Sequence, residues 1–206
     1  VTLSDTLGFL DLTKELDRRI LEHPEWQKRH DLGSPLLMNA LNGIGILPTN
    51  HFQKGVCSYV DEVSGETLAR TRKVKNKSCF NCNIHCSRYY MTDETEGEGP
   101  EFETLCSYTS RIGVADLSFA LRMTSFLNRM GMDSLSSGET IGWAMECFQR
   151  GLLGPDDVDG LDFTWGNQDA VESVLGMIVR REGIGGAFAE GTRSLARRFG
   201  RGTEKW

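Results

Sequence analysis

No stretch of this 206-residue sequence approaches the ~20 consecutive apolar residues that a membrane-spanning helix needs. No basic run or stripe is present, and the formal charge is −6, which argues against a nucleic-acid or membrane-surface partner. The opening residues, VTLSDTLGFLDLTKELDRR, carry acids and lack a signal-peptide pattern. They also lack an initiator methionine, so the chain is expected to be a piece of something longer. Internal repeats and low-complexity segments are missing too. What is there is 39% hydrophobic, enough for one substantial core or two small ones. The acidic balance by itself indicates only a soluble protein.

Alternating β patterns are also scarce; VCSYV (56–60) is the best strand candidate and a weak one. Helical periodicity dominates instead, and the expected class is all-α. Residues 6–22 put Leu10, Leu12, Leu16 and Ile20 roughly on one face. PLLMNALNG (35–43) reads as a short helix between Pro and Gly, and Ser64 opens another. After an acidic connector, TDETEGEGP, Pro100 is expected to open a helix over 100–111. Asp116 stands near the start of a longer helix that Gly131 ends, and Asp133 or Ser134 caps the next, about 135–150. LLGPDDVDGLDFTWGN is loop. Two helices, about 168–181 and 185–199, close the chain, with Asn167 capping the first and Gly183 ending it.

The chemistry concentrates in KSCFNCNIHC (77–86), where Cys79, Cys82 and Cys86 crowd together. Six cysteines, three of them clustered, suit a reducing compartment, hence the cytoplasm, and a metal site better than a disulfide framework. Three readings compete. They are free buried thiols, a zinc site completed by His85 or a remote cysteine, or an iron–sulfur cluster. The polar surroundings disfavour the first. The absence of a second Cys-x2-Cys or His pair disfavours the second. The Cys-x2-Cys-x3-Cys order suits an electron-transfer cluster whose fourth ligand is distant. Lys75, Lys77 and Arg88 add compensating charge beside it. Cys57 lies near in sequence, and Cys106 and Cys147 read as core; none is spaced as a fourth ligand.

CFNCNIHCSR, then EGPEFETL, then LNRMGMDSLSSGETIGWAMECFQRGLL, then REGIGGAFAEGT, in that order, resemble the aldehyde:ferredoxin oxidoreductase family. Its members are tungsten, sometimes molybdenum, enzymes with a bis-pyranopterin and one [4Fe-4S] cluster. The resemblance implies a multihelical fold like the family's second domain, occupying residues 1–206, with the iron–sulfur loop and acidic connector at 73–99. It implies that a pterin-cradling domain precedes this region and a further helical domain, carrying the fourth cluster cysteine, follows it. The implied partners are those remaining domains, a small aldehyde, and ferredoxin or a similar carrier. A stand-alone iron–sulfur or zinc module without pterin is the competing reading, and a related tungsten scaffold that reduces aromatic thioesters is another.

Carried over residue by residue, Cys79, Cys82 and Cys86 resemble the three clustered metal ligands. The family's pterin-contacting motif, Asp-x-x-Gly-Leu-Asp, aligns with NRMGMD (128–133), so Gly131 and Asp133 match, Asn128 replaces an Asp and Met132 a Leu. DVDGLD (157–162) matches the letters better but falls in a loop too late in the chain, and reads as a turn. In EGPEFET, Glu103 maps to the carboxylate beside the metal and is the candidate catalytic residue, whereas Glu101 reads as structural. Without the resemblance, Glu103 would be an ordinary acid in a helix's first turn, and Asp133 an ordinary cap. Arg122 and Ser125 stand where some members carry Glu-x-x-His for an interfacial iron, so no such iron is expected. His85 is placed to tune the cluster by hydrogen bonding. His51, in PTNHF, is expected at the surface.

Overall fold

The computed structural model describes residues 3–206. Ten α-helices form its frame: α1 Thr6–Leu21, α2 Trp26–Leu32, α3 Leu37–Gly43, α4 Gly65–Thr71, α5 Phe102–Ser107, α6 Leu117–Met130, α7 Ser134–Gln149, α8 Gln168–Arg180, α9 Gly185–Phe188 and α10 Thr192–Phe199. The fold is mostly helical, as the periodicity predicts. Among the described residues no helix is long and apolar enough to cross a membrane.

Several helix ends follow from single side chains. Ser64, Asp116, Asp133 and Asn167 each accept a hydrogen bond from a backbone N–H in the first turn of α4, α6, α7 and α8. Each satisfies a donor that has no partner inside its helix. Gly131 closes α6 in the left-handed conformation, with Gly131 N donating to Asn128 O and Met132 N to Leu127 O. α7 is the central helix. Ten of its residues from Ser137 to Cys147 are buried, and Trp143 donates from Nε1 to Thr203 O at 3.1 Å. α5 packs on one side of it and α10 on another. The buried side chains form one continuous cluster that includes Cys57, Cys106 and Cys147.

Elsewhere the structure departs from the sequence reading. A three-stranded antiparallel sheet, β1 Lys73–Lys77, β2 Ser87–Met91 and β3 Glu96–Glu98, occupies the cysteine and connector region. β1 is mostly polar and has no buried residue, so no alternation betrays it. What decides is Tyr90, fully buried, whose hydroxyl donates to Leu121 O in α6 at 2.9 Å. VCSYV is not a strand: Cys57 N donates to the Asn42 side chain at 2.7 Å, and a 3-10 turn starts at Val60. The helix expected over 100–111 stops at Ser107. Thr109 leaves helical geometry, and the Ser110 and Arg111 carbonyls then accept from Asn50 and His51 N–H groups. The helix expected over 185–199 is two helices parted at Gly191, φ 82°. Arg181, not Gly183, takes the left-handed position that ends α8. The face of α1 proposed from Leu10, Leu12, Leu16 and Ile20 lies exposed, and no residue of that helix is buried.

Candidate functional site

The cysteine loop is the tip of the hairpin between β1 and β2, whose closing pair is Lys77 with Ser87. Asn81 and His85 take left-handed backbone conformations that fold the tip back on itself, and Cys82 N donates to Cys79 O at 3.2 Å. α2 holds the tip from the side. Trp26 donates from Nε1 to Asn83 O at 3.1 Å, and His30 Nδ1 lies 2.9 Å from Ile84 O. Asn76 donates to His30 Nε2, which leaves Nδ1 as the proton-bearing nitrogen and a donor to Ile84 O. The Trp26 and His30 rings stack at 4.8 Å, and His85 lies 5.8 Å beyond His30. A third anchor comes from β2: the buried Arg88 guanidinium donates to Cys86 O and Pro100 O.

That last contact leads directly to the second group of residues. Glu101 lies at the N-terminus of α5 and approaches Arg88 at 3.6 Å, while its other oxygen accepts from Ser34 Oγ. Glu103 follows in the first turn and is exposed. One residue later, Thr104 Oγ1 lies 2.7 Å from Ser134 Oγ, the first residue of α7. The α6–α7 corner therefore sits beside the Glu103 helix. Gly131 and Asp133 form that corner, and Asn128 on α6 donates from its side chain toward Glu98 O of β3 at 3.4 Å. Asp133 accepts from Ser136 N at 2.6 Å, and the Ser136 side chain first, then its backbone N–H, hold the Asp133 pKa below the usual range. Asp133 also lines a pocket of about 390 Å³ with Met132, Ser136, Thr140, Arg181 and Ala189. DVDGLD is a turn, with Asp159 and Gly160 both left-handed.

Residues 11–206 match the family described as "Aldehyde ferredoxin oxidoreductase, domains 2 & 3". This chain belongs to the aldehyde ferredoxin oxidoreductase family. It is 39% identical over 209 residues to a tungsten-containing aldehyde ferredoxin oxidoreductase of Pyrococcus abyssi, covering 99% of this chain and 34% of that one. It is 38% identical over 204 residues to the protein of the same description from Pyrococcus horikoshii, covering 97% and 34%. Among solved structures it resembles the active site complex BamBC of benzoyl coenzyme A reductase bound to 1,5-dienoyl-CoA. The TM-score is 0.70 with 26% identity, over 85% of this chain and 26% of that one. The chain thus spans about a third of the length of the curated relatives it matches.

Three thiols on one hairpin tip, Cys79, Cys82 and Cys86, are a donor set of the kind that holds an iron–sulfur cluster. All six cysteines are free; Cys57, Cys106 and Cys147 are buried in the core, whereas Cys79 is exposed and Cys82 and Cys86 are half-buried. Burial, Glu101 and Cys82 push the Cys86 thiol up, the direction a bound cation reverses. The thiols share one loop without converging. Among the described residues no three His, Cys, Asp or Glu side chains stand together as a metal-holding group. The pocket beside Asp133 is of the size that holds small ligands, and its lining mixes carboxylate and hydroxyl groups with methionine. That mixture suits the polar edge and flat face of a pterin.

Sequence reasoning missed three parts of this arrangement. EWQKRHDLG, closed by Gly33, carried the signal for α2, but Trp26 and His30 gained their role only through contacts more than 50 residues away. Arg88 read as a flanking charge, yet it is 2% exposed. His51 is not at the surface. It is 8% exposed, with Nδ1 2.6 Å from Glu146 Oε2 and Nε2 3.0 Å from Glu139 Oε1. Both acids lie on α7, which presents them at i and i+7 on one face. Arg111 and Arg150 complete the network through Glu139 and Glu146.

Proposed function

We propose that this chain is the cluster-loop and pterin-contacting part of an oxidoreductase that converts small aldehydes to carboxylic acids and passes the electrons to ferredoxin or a similar carrier. The observation that carries this reading is the continuity of the site: the Cys86 carbonyl, Arg88, Glu101, the helix bearing Glu103, Thr104, Ser134 and the Asp133 corner are linked by successive contacts. When bound, the tungsten or molybdenum bis-pyranopterin supplies the two-electron step and the [4Fe-4S] cluster the single-electron passage. In this reading Cys79, Cys82 and Cys86 supply three thiolates, and the remaining domains of the enzyme supply the fourth. Asn128, Gly131 and Asp133 bind the pterin: Asp133 accepts from ring amines, Asn128 offers its carbonyl oxygen, and Gly131 keeps the corner clear of a side chain. Glu103 takes the proton from the water whose oxygen enters the acid, once the other domains enclose it. One domain over residues 1–206, with the loop and connector at 73–99 as its cluster-binding part, is the organisation this implies.

The test is anaerobic purification of the full-length protein, metal and acid-labile sulfide analysis, and aldehyde-dependent reduction of ferredoxin or a viologen. Bound tungsten or molybdenum, iron, and aldehyde turnover are expected, with Glu103→Gln keeping the metals and losing turnover by about 10²-fold or more. Protein with a cluster but no pterin would favour the stand-alone electron-transfer module. The likeness to the benzoyl coenzyme A reductase complex favours a second reading, reduction of an aromatic thioester. Turnover of benzoyl-CoA and not of aldehydes would decide for it.

A further inference from the structure

Arg88 is a full cation with almost no contact with water. A buried charge is costly unless its donors are matched. Here they are matched across a junction. Nη2 donates to Cys86 O at 2.5 Å, Nη1 donates to Pro100 O, and Glu101 Oε1 lies 3.6 Å from Nη2. The backbone repeats the tie, since Gly99 N donates to Arg88 O at 2.9 Å. Ser34 locks the far side: its hydroxyl donates to Glu101, and it accepts from Phe102 N at 2.8 Å. Gly33 beside it sits at φ +62°, where a Cβ would overlap both the guanidinium and the Cys86 carbonyl. A planar fork with donors in fixed directions can bridge two carbonyls at once; a single ammonium cannot hold the same geometry.

We propose that Arg88 is a positioning residue that fixes the third cysteine of the loop to the Pro100–Phe102 segment and, with Glu101, sets the reduction potential at that loop. The inference rests on the cluster reading above and goes beyond it. An electron arriving at the loop from the proposed aldehyde oxidation adds negative charge beside the guanidinium, so the buried cation favours the reduced form. Glu101 opposes it. Removing the two charges therefore moves the potential in opposite directions, which loosened packing does not do.

The experiment uses the full-length protein, purified anaerobically, as wild type, Arg88→Met, Arg88→Lys and Glu101→Gln. Iron content, a redox titration followed by electron paramagnetic resonance, and kcat and KM are measured. Arg88→Met is expected to lower the potential and kcat, the latter about tenfold or more at unchanged KM, as loss of a partner outside the ligand set commonly does. Glu101→Gln is expected to raise the potential. Arg88→Lys is expected to restore the potential but only part of kcat. Wild-type potentials in Glu101→Gln and in the arginine variants would overturn the proposal. Where Arg88→Met does not accumulate, Glu101→Gln and Arg88→Lys decide it on the same readouts. Wild-type protein that binds no iron would sink the cluster reading itself, a failure seen before any variant is compared.

Discussion

His51 and Glu146 meet through a 2.6 Å hydrogen bond across 95 residues of chain. The ring's other nitrogen faces Glu139 at 3.0 Å. A neutral imidazole has one N–H and can donate to only one of them, so the imidazolium form satisfies both acids. The backbone that delivers the ring is strained: Asn50, His51 and Phe52 are consecutive non-glycine residues with φ of 45°, 47° and 65°. Such positions cost about 1–3 kcal/mol each and persist when surrounding contacts over-determine them. Here those contacts are Asn50 N and His51 N donating to Ser110 O and Arg111 O, and the paired carboxylates on α7.

Stability should therefore depend on pH through His51. Burial pushes its pKa down, but hydrogen bonds and charge from Glu139 and Glu146 outweigh burial and leave it raised. Burial likewise raises Glu139, but His51 and Arg111 pull it below its usual value. A raised histidine contributes stability fully below its unfolded pKa, about 6.5, and loses it as pH rises through the folded value. A depressed carboxylate loses its contribution as pH falls. Wild type should exceed His51→Gln by about 2 kcal/mol at pH 6 and by clearly less at pH 9, measured by urea denaturation. An equal gap at both pH values would mean that folding does not raise the His51 pKa, and a gap that widens toward pH 9 would mean that the folded ring is neutral.

Two glycines with nearly the same φ should respond very differently to a methyl group. Gly131, φ 66°, has nothing within 4 Å of an added Cβ, so Gly131→Ala should cost only the left-handed penalty, about 1 kcal/mol. Gly33, φ 62° and ψ −157°, lies in a region essentially reserved for glycine and also faces Arg88 and the Cys86 carbonyl, so Gly33→Ala should cost several-fold more. Denaturation midpoints compare them directly, and similar losses would contradict the packing at Gly33.

Capping and cofactor binding can be separated at Asp133. Asp133→Ala should lose about 1 kcal/mol by removing the acceptor for Ser136 N. Asp133→Ser should recover that stability, because serine also caps, without recovering pterin retention in the full-length protein. If Asp133→Ser retains pterin as wild type does, the residue is a cap and nothing more.

The anchors on α2 should govern how well the cysteine loop keeps its cluster. Trp26→Phe removes the hydrogen bond to Asn83 O and leaves most of the ring in place; His30→Ala removes the donor to Ile84 O. Both variants should reconstitute with iron and sulfide, then lose the 400 nm absorbance in air faster than wild type. Unchanged decay rates would show that the loop is held by β1 and β2 alone.

Local interactions were readable without a fold. The caps at Ser64, Asp116, Asp133 and Asn167 work within three residues, so their side chains announce the helices they start. Likewise, the apolar neighbours of Cys106 and Cys147 marked them as core. The CFNCNIHCSR and NRMGMD motifs carried the family resemblance because their spacing is local chemistry. The sequence by itself thus determined a mostly helical chain, the cysteine loop and the corner beside Asp133. Tertiary structure decided the rest. β1 is a strand only because β2 lies beside it, since a mostly polar segment with no buried residue has no intrinsic signal of its own. Arg88 is buried only because Cys86, Pro100 and Glu101 converge on it. His51 is paired only because α7 passes behind a turn far away in the chain. In each case the energy comes from partners distant in sequence, which no local pattern encodes.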